Sequence, residues 1–167
     1  METIYFQGNT CHTYGNIPAV GTKAPCFSLV TSDLKDIRCI DFKGKRIVLN
    51  IFPSLDTSVC ALSVRRFNQE AASLENTQVI CVSMDLPFAQ KRFCTAEGID
   101  NVIVASAFRS STFSQEYGLQ IVDGPLAGLL ARAVIVTDEN FRIIYAQLVD
   151  EITHEPDYKA ALSVLRK

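Results

Sequence analysis

Two apolar runs rich in β-branched residues place the strongest constraint on how this chain folds. They are "RIVLNIF" at residues 46–52 and "TQVICVSM" at residues 77–84. Such runs are typical of strands that are buried on both faces of a sheet. Between them, residues 59–74 carry apolar side chains at helical spacing. A strand, a helix and a second strand form a right-handed crossover, so we predict that the two strands are parallel neighbours.

The rest of the chain continues the alternation of strands and helices. Pro87 and Gly98 mark the start and the end of a predicted second helix. Two late strands flank a turn signal at residues 138–140, which adds an antiparallel pair to the sheet. Further strands are predicted at residues 26–30, 37–42 and 102–106, and further helices at 111–118 and 155–167. We therefore predict an α/β thioredoxin-like fold, with a central mixed sheet flanked by helices and an N-terminal hairpin around residues 7–9.

Length, composition and charge narrow the class of protein. The 167 residues, 48% of them hydrophobic, suit a single domain spanning residues 1–167 with a core of its own. A net charge of −2 gives no reason to expect a nucleic acid or an anionic membrane as partner. No apolar run approaches the roughly 20 residues of a membrane span, and the first residues lack the pattern of a signal peptide. We expect a cytoplasmic protein.

The sequence contains six cysteines, and they are Cys11, Cys26, Cys39, Cys60, Cys81 and Cys94. A core-rich chain without an export signal favours reduced thiols in a cytoplasm over a disulfide framework. On this interpretation Cys26, Cys39 and Cys81 are packing residues in strand-like segments. Because the chain has no C-x-x-C pair and only two histidines, we expect no structural metal site. No glycine-rich phosphate loop is present, so we expect no nucleotide cofactor.

Cys60 differs from the other cysteines because it stands at the head of a helix. It begins one apolar helical stripe, which consists of Cys60, Val64, Phe67, Ala71 and Leu74. The candidate N-cap residues are Asp56, Thr57 and Ser58. Unpaired N–H groups and the positive dipole end at a helix N-terminus favour a thiolate over a thiol. The alternative is that Cys60 is a small buried residue in an ordinary first turn.

Pro53 and Thr57 extend this pattern towards the N-terminus. Pro53 ends the preceding strand, and the loop after it places the Thr57 hydroxyl next to Cys60. The spacing Pro53-x-x-x-Thr57-x-x-Cys60 resembles the active-site signature of the peroxiredoxins. The wider text "NIFPSLDTSVCALSVRRFNQ" is similar to the thiol peroxidase branch of that family, as are "DLPFAQKRFCTAEGI", "YGLQIVDGPLAGLLARAVIV" and "QLVDEITHEPDYKAAL". These segments cover most of the chain beyond residue 45.

The resemblance implies an atypical two-cysteine peroxiredoxin, a thiol-dependent peroxidase that reduces hydrogen peroxide and organic hydroperoxides. Cys60 is then the peroxidatic nucleophile, in a catalytic site that also contains Pro53 and Thr57. Cys94 is then the resolving residue, which joins the sulfenic acid of Cys60 in an intramolecular disulfide. Thioredoxin is the implied reductant of that disulfide, and a homodimer is the implied assembly.

Arg132 is the candidate cation for this site, because it stands among apolar residues in "GLLARAVIVT". A buried arginine is costly without an anionic partner. The residues alone leave open an ion pair with a core carboxylate, or a side chain that extends from a strand end to solvent. The resemblance places an active-site arginine in this strand and implies contact with the Cys60 thiolate and the peroxide oxygens. Arg109 is a weaker candidate, in a predicted surface loop.

Three other functions compete with this interpretation. A disulfide reductase of the thioredoxin type needs C-x-x-C, but Thr57 occupies the first of those positions. A cysteine hydrolase needs a histidine beside the thiol, and neither His12 nor His154 lies near the motif in sequence. A thiol sensor or a binding domain is the third, and peroxide turnover with a thioredoxin system discriminates it from the enzyme. For the enzyme, residues 124–130 and Phe88 are expected to line an apolar entrance suited to alkyl or lipid hydroperoxides.

Overall fold

The structure of the chain, a computed structural model, describes residues 1–166. The strands are β1 Thr3–Phe6, β2 Asn9–His12, β3 Ser28–Thr31, β4 Asp36–Arg38, β5 Arg46–Ile51, β6 Thr77–Ser83, β7 Ile103–Ser106, β8 Ala133–Thr137 and β9 Ile143–Leu148. The α-helices are α1 Ser58–Ala71, α2 Pro87–Glu97 and α3 Tyr158–Ser163. No helix within residues 1–166 is long and apolar enough to cross a membrane.

The central sheet has the strand order β4-β3-β7-β6-β5-β8-β9, with β5 and β6 as its parallel centre. Their register pairs Arg46 with Thr77 and Ile51 with Val82, as expected for neighbours joined by a helical crossover. β7 continues the parallel part next to β6, while β8 and β9 are antiparallel on the other side of β5. The predicted mixed sheet, its parallel centre and its antiparallel closing pair are therefore confirmed.

The two faces of the sheet are covered differently. Along β5, Leu49 points to one face and Val48 to the other, because successive strand residues alternate. α1, α2 and α3 pack on the Val48 face, where Phe67 joins the same apolar cluster. The Leu49 face is covered by two short helical turns, which contribute Phe42 and Phe113. Cys60, the candidate nucleophile, lies on the Val48 face, in the first turn of α1.

Three predicted elements differ in detail from the structure. Cys39–Phe42, predicted as the end of a strand, is a 3-10 turn, because the Asp41 carboxylate accepts a hydrogen bond from the Arg38 N–H at 2.8 Å. Thr112–Glu116, predicted as a short helix, is a π-helical turn. The terminal helix begins at Tyr158, since Asp157 is its N-cap and accepts from the Ala160 N–H at 3.0 Å. Its predicted last residue, 167, lies outside the described residues.

The predicted N-terminal hairpin is present as β1 and β2, which form a sheet of their own. Gln7 and Gly8 join the strands with φ angles of 51° and 81°, the left-handed geometry that a tight hairpin turn requires. The hairpin docks on the segment after β9. There the Tyr5 N–H donates to the Asp150 carbonyl at 2.7 Å, and the Ile152 N–H donates to the Tyr5 carbonyl at 2.9 Å. The hairpin is thus fixed to the body of the protein.

Cys26 and Cys39 form a disulfide, so the prediction that both are reduced packing residues is wrong. β3 and β4 are antiparallel with Ser28 opposite Arg38, which brings the residues that flank the pair together. The Cα atoms of the two cysteines are 5.4 Å apart, within the range of about 4.4–6.8 Å that disulfides need. The spacing of the two cysteines in the sequence does not show that they are close, whereas the register of β3 and β4 does. The free cysteines are Cys11, Cys60, Cys81 and Cys94.

Candidate active site

Cys60 lies in the first turn of α1, and its side chain is fully buried. Thr57 is the N-cap residue in extended conformation, and the helix begins at Ser58. Val64 and Phe67 are buried as well, so the apolar stripe faces the sheet as predicted. The N–H groups and the dipole of the first turn therefore act on a sulfur that is shielded from bulk water. In such an environment, electrostatic interactions are stronger than at the surface.

Arg132 lies directly before β8 and is only 1% exposed. Its Nη2 donates to Sγ of Cys60 at 3.1 Å, and its Nε donates to the carbonyl of Ile152 at 2.8 Å. Within residues 1–166 no carboxylate forms an ion pair with Arg132. Neither the core ion pair nor the solvent-directed side chain that the sequence left open is present. The sulfur of Cys60 is the side-chain group that this geometry places beside the buried cation.

A cavity of about 260 Å³ opens beside Arg132. It is lined by Phe6, Gln7, Pro53, Thr57, Ser58, Val59, Leu126, Arg132, Ile152 and Thr153. In the described part of the chain, the buried Nη1 of Arg132 has no hydrogen-bond partner. A buried donor without a partner costs free energy, so this nitrogen is available to an oxygen atom that enters the cavity. The structure thus brings Pro53, Thr57 and Arg132 together at one cavity, with Cys60 in contact with Arg132.

The loop before α1 holds Thr57 in a way that the sequence did not indicate. The Thr57 hydroxyl donates to the carbonyl of Ser54 at 3.0 Å. Asp85 fixes the same loop, because its carboxylate accepts from the Ser54 hydroxyl and from the Leu55 N–H, each at 2.8 Å. The Thr57 oxygen keeps its lone pairs and can accept a hydrogen bond from a molecule in the cavity.

Four cavity residues that lie far from the Cys60 motif in the sequence were not identified from it, and they are Phe6, Gln7, Ile152 and Thr153. They come together because the carboxylate of Glu151 accepts from the N–H groups of Gly8 at 2.8 Å and Gln7 at 3.3 Å. Burial alone raises the pKa of Glu151, but backbone hydrogen bonds outweigh it and hold the pKa below its ordinary value. The turn signal at residues 7–9 predicted the hairpin. No local pattern indicates that its tip docks on the chain after β9.

The predicted apolar entrance is present in part. Leu126, from residues 124–130, lines the cavity together with Phe6 and Ile152. Phe88 lies on α2 and does not line the cavity. Its side chain is 67% exposed. The hairpin therefore supplies the apolar surface that was expected from α2.

Cys94 lies on α2, half-buried against the apolar cluster that also contains Cys60 and Cys81. Burial raises the pKa of the Cys94 thiol, and the charge of Lys91 partly offsets this. Burial raises the pKa of Cys81 to about 12, although Asn50 donates to its sulfur at 3.6 Å. Cys60 and Cys94 are both free, so the structure has the dithiol form of this pair.

The other polar candidates from the sequence lie elsewhere. Arg109 pairs with Asp36 at 2.7 Å on the surface. Nδ1 of His12 is 2.6 Å from the carboxylate of Asp123, and in the described part of the chain no histidine lines the cavity. Residues 1–166 contain no group of three or more His, Cys, Asp or Glu that could hold a metal ion. The geometry thus gives no support to a cysteine hydrolase, which needs a histidine at the thiol.

Comparison with known proteins agrees with this arrangement. Residues 19–162 match the protein family described as Redoxin. The thiol peroxidase of Corynebacterium glutamicum is 57% identical over 165 residues, which is 99% of both chains. The thiol peroxidase of Mycobacterium tuberculosis is 54% identical over 165 residues, again 99% of both.

Solved structures give the same result. A peroxiredoxin-like protein from Aquifex aeolicus is 42% identical with a TM-score of 0.94, covering 99% of this chain and 96% of that chain. The thiol peroxidase from Chromobacterium violaceum has a TM-score of 0.89 at 21% identity, covering 98% and 95% of the two chains, and supports the fold.

The chain therefore belongs to the redoxin family, in the thiol peroxidase branch of the peroxiredoxins. Membership confirms the family and the enzyme class that the sequence resemblance implied, a peroxidase of the peroxiredoxin type. It also confirms the thioredoxin-like fold.

Proposed function

We propose that the chain is a thiol-dependent peroxidase that reduces hydrogen peroxide and organic hydroperoxides through Cys60. The observation that carries the proposal is the 3.1 Å contact between Nη2 of buried Arg132 and Sγ of Cys60, beside the cavity. A fixed cation next to the nucleophile stabilises the negative charge that develops on the departing oxygen. The relatives from Corynebacterium glutamicum and Mycobacterium tuberculosis are named thiol peroxidases, which supports the same activity.

In the proposed reaction, the Cys60 thiolate attacks the outer oxygen of the hydroperoxide in line with the O–O bond. The S–O bond forms as the O–O bond breaks, so the sulfur is oxidised to a sulfenic acid. The other oxygen leaves with the bonding electrons and takes a proton from solvent, which yields water or an alcohol. Arg132 Nη1 donates to the peroxide oxygens, because it has no partner among the described residues.

The cavity supports organic hydroperoxides as substrates beside hydrogen peroxide. Phe6, Leu126 and Ile152 give it an apolar wall, and its volume is about 260 Å³. The alkyl group of a substrate packs on these side chains while the hydroperoxide group meets Arg132. Apolar walls with a few convergent polar groups are typical of small-molecule sites.

We propose Cys94 as the resolving residue. Its sulfur attacks the sulfenic sulfur of Cys60, an S–S bond forms, and the hydroxyl group leaves as water. Packing of both residues against one apolar cluster supports this pairing. A disulfide needs Cα atoms about 4.4–6.8 Å apart, and the two residues are fixed on separate helices. The first turn of α1 and the chain around Cys94 therefore unwind for this step.

A thioredoxin-type dithiol protein is the proposed reductant. Its first thiolate attacks the Cys60–Cys94 disulfide and forms a mixed disulfide with the enzyme. Its second thiol then attacks the mixed disulfide, which releases both enzyme thiols and leaves the reductant as a disulfide. The cytoplasm is the proposed compartment, because dithiol proteins of the thioredoxin type are kept reduced there. We treat residues 1–167 as one functional domain, since the hairpin lies before the matched residues 19–162 and yet lines the cavity.

The proposed assembly is a homodimer. Leu86, Phe88 and Phe108 are exposed by 52%, 67% and 40%. Leu86 and Phe88 lie at the start of α2, and Phe108 follows β7. The Ser106 hydroxyl donates to the carbonyl of Asp85, which brings these two segments side by side. Exposed apolar side chains that share a surface are typical of interfaces, and a two-fold axis would bury them.

The variant Cys60→Ser tests the proposal. Serine is nearly isosteric, but its hydroxyl is not ionised at neutral pH and cannot serve as this nucleophile. We expect peroxide consumption with thioredoxin and its reductase to fall to background, while the circular dichroism spectrum stays unchanged. The control Cys81→Ser should retain turnover, because its serine hydroxyl can still accept from Asn50. Substantial turnover by Cys60→Ser would refute the proposal.

A further inference from the structure

A second cavity, of about 320 Å³, lies on the face of the sheet opposite to Cys60. Its floor is formed by Ile47 and Leu49 of β5 and by Thr137 of β8. One wall comes from residues 23–27 and another from residues 39–43. It shares no lining residue with the cavity beside Arg132, so it is a separate site.

The walls of this second cavity are held in place by covalent and hydrogen bonds. The disulfide between Cys26 and Cys39 joins one wall to the other. The Ala24 N–H donates to the carbonyl of Phe141 at 2.8 Å, which ties the first wall to the β8–β9 turn. The Tyr117 hydroxyl donates to the same wall at 2.7 Å. The cavity is therefore preformed, as small-molecule sites usually are.

Thr137 carries an unpartnered polar group on the floor. Its side chain is 2% exposed, and in residues 1–166 its hydroxyl oxygen has no hydrogen-bond partner. Ile47 pairs with Thr137 in the strand register, so both side chains lie on the same face of the sheet. A buried hydroxyl without a partner costs free energy, and a ligand oxygen at this depth would remove that cost.

The remaining lining combines positive charge with apolar surface. Lys23 and Lys43 are exposed, and within the described residues neither forms an ion pair. Asp41, the carboxylate nearest to Lys43 in the sequence, accepts from the Arg38 N–H and does not line the cavity. Ile40 lines it although its side chain is 64% exposed. The lining suits a molecule with an apolar body and an anionic head.

We propose that this cavity binds a medium-chain aliphatic carboxylate that carries an oxygen atom at its inner end. The carboxylate meets Lys23 and Lys43, the chain packs on Ile47 and Leu49, and the inner oxygen shares a hydrogen bond with Thr137. The volume of about 320 Å³ is near the lower end of small-molecule sites, roughly 300–1,000 Å³, which favours a medium chain.

Calorimetric titration of the disulfide-bonded protein with decanoate and ω-hydroxydecanoate tests the site. We expect the hydroxylated probe to bind about fivefold more tightly, the ordinary gain from one hydrogen bond. Thr137→Val keeps the side-chain shape and removes the hydroxyl, so it should bind the two probes equally. Because the lost hydroxyl had no partner, the melting temperature of Thr137→Val should not fall, which shows that it is folded. Equal affinities in the parent, or no binding of either probe, would overturn the proposal.

The lysines are tested by the double variant Lys23→Gln and Lys43→Gln. We expect it to lose several-fold affinity for decanoate and none for the neutral probe decanol. Lys159→Gln, an exposed lysine on α3, is the matched control and should bind as the parent does. NMR shifts of Leu49 and Thr137 should locate the probe. Shifts centred instead on Phe6 and Gln7 would put it in the Arg132 cavity, and this too would overturn the proposal.

Discussion

The guanidinium of Arg132 uses each of its three nitrogens differently. Nε donates to the carbonyl of Ile152 at 2.8 Å, and Nη2 donates to Sγ of Cys60 at 3.1 Å. Nη1 is buried and has no partner among the described residues. The bond from Nε fixes the plane of the group, and the plane fixes where the other two nitrogens point. Orientation as well as charge therefore matters at this residue.

The variant Arg132→Lys separates orientation from charge. A lysine keeps the charge but cannot reproduce the fork that contacts Ile152 and Cys60 together. We expect the second-order rate of Cys60 oxidation by peroxide, measured by stopped flow, to fall about a hundredfold, the usual loss for one oriented donor. The control is Arg109→Lys, because Arg109 pairs with Asp36 on the surface. Oxidation of Arg132→Lys at the parental rate would show that Arg132 serves only the fold.

The burial and the position of single residues could be predicted from the sequence where they depend on local spacing. The helical stripe through Cys60 predicted its burial, and Thr57 was among the candidate caps. The partner of Arg132 could not be found this way, because the contact with Cys60 spans 72 residues. The pairing of Cys26 with Cys39 depends in the same way on a register that local spacing does not show.

Among the elements, the N-terminal hairpin has the clearest link to the cavity. Its tip is anchored by Glu151, whose carboxylate accepts from the N–H groups of Gln7, Gly8 and Thr153. The next residue in the chain, Ile152, lines the cavity and supplies the carbonyl that fixes Arg132. Glu151 is a positioning residue in this arrangement, since it acts on the cavity through the hairpin.

The variant Glu151→Gln tests this anchor. The amide keeps one acceptor oxygen, but its NH₂ group donates, so at least one of the backbone N–H groups loses its partner. We expect kcat/KM for cumene hydroperoxide to fall about fivefold, the value of one hydrogen bond. The kcat/KM for hydrogen peroxide should change less, because this small substrate does not need the apolar wall that the hairpin supplies. The control is Asp123→Asn, since Asp123 binds His12 at the far end of β2. An equal loss for both substrates would contradict a role in specificity.

The anchor also has a defined pH dependence. The pKa of Glu151 is lowered in the folded protein, where backbone hydrogen bonds outweigh burial, so its ionisation stabilises the fold. This contribution is complete above the ordinary pKa of a glutamate, about 4.3, and is lost as the pH falls through the lower folded value. The difference in free energy of unfolding between the parent and Glu151→Gln should therefore shrink on acidification. Urea unfolding at several pH values measures it.

Element boundaries followed the sequence where capping chemistry defines them. α2 begins at Pro87 and ends before Gly98, whose φ of 64° is the left-handed conformation that ends a helix. The segment Cys39–Phe42 was predicted as the end of a strand over residues 37–42, but the Asp41 carboxylate closes it into a turn. Side-chain hydrogen bonds to the backbone compete with strand pairing in this way.

At the scale of the whole molecule, the disulfide between Cys26 and Cys39 restrains the chain before folding as well as after it. The two residues are 13 positions apart, and a closed loop of about this length contributes about 3 kcal/mol by restricting the unfolded chain.

We expect the double variant Cys26→Ser and Cys39→Ser to lose about 3 kcal/mol of unfolding free energy, measured in urea without reductant. Added dithiothreitol should lower the unfolding free energy of the parent by the same amount, because it reduces the disulfide. It should leave the double variant unaffected. If dithiothreitol lowers the unfolding free energy of both proteins alike, its effect does not come from the disulfide between Cys26 and Cys39.

The overall topology followed from the order of strands and helices, but the motion that the proposed cycle requires does not follow from topology. Cys60 is fully buried in the first turn of α1, and Cys94 is half-buried on α2. The two helices are linked at the surface by Arg65 and Glu97, with contacts of 2.8 and 2.9 Å. Exposed ion pairs contribute at most about 1 kcal/mol, so this link does not prevent local opening. In the proposed cycle, the reduced pocket and the Cys60–Cys94 disulfide are therefore two alternative conformations.

The variant Cys94→Ser decides whether Cys94 resolves the oxidised enzyme. It should react once with peroxide at the parental rate, because the pocket of Cys60 is intact, and then remain as sulfenic acid or over-oxidise to sulfinic acid. Turnover with thioredoxin should be lost. In the oxidised parent, peptide mass analysis should find a bridge from Cys60 to Cys94, and hydrogen exchange should increase in the first turn of α1. The control Cys81→Ser should keep that bridge. A dominant bridge from Cys60 to Cys81, or to a second chain, would refute Cys94 as the resolving residue while leaving Cys60 as the nucleophile.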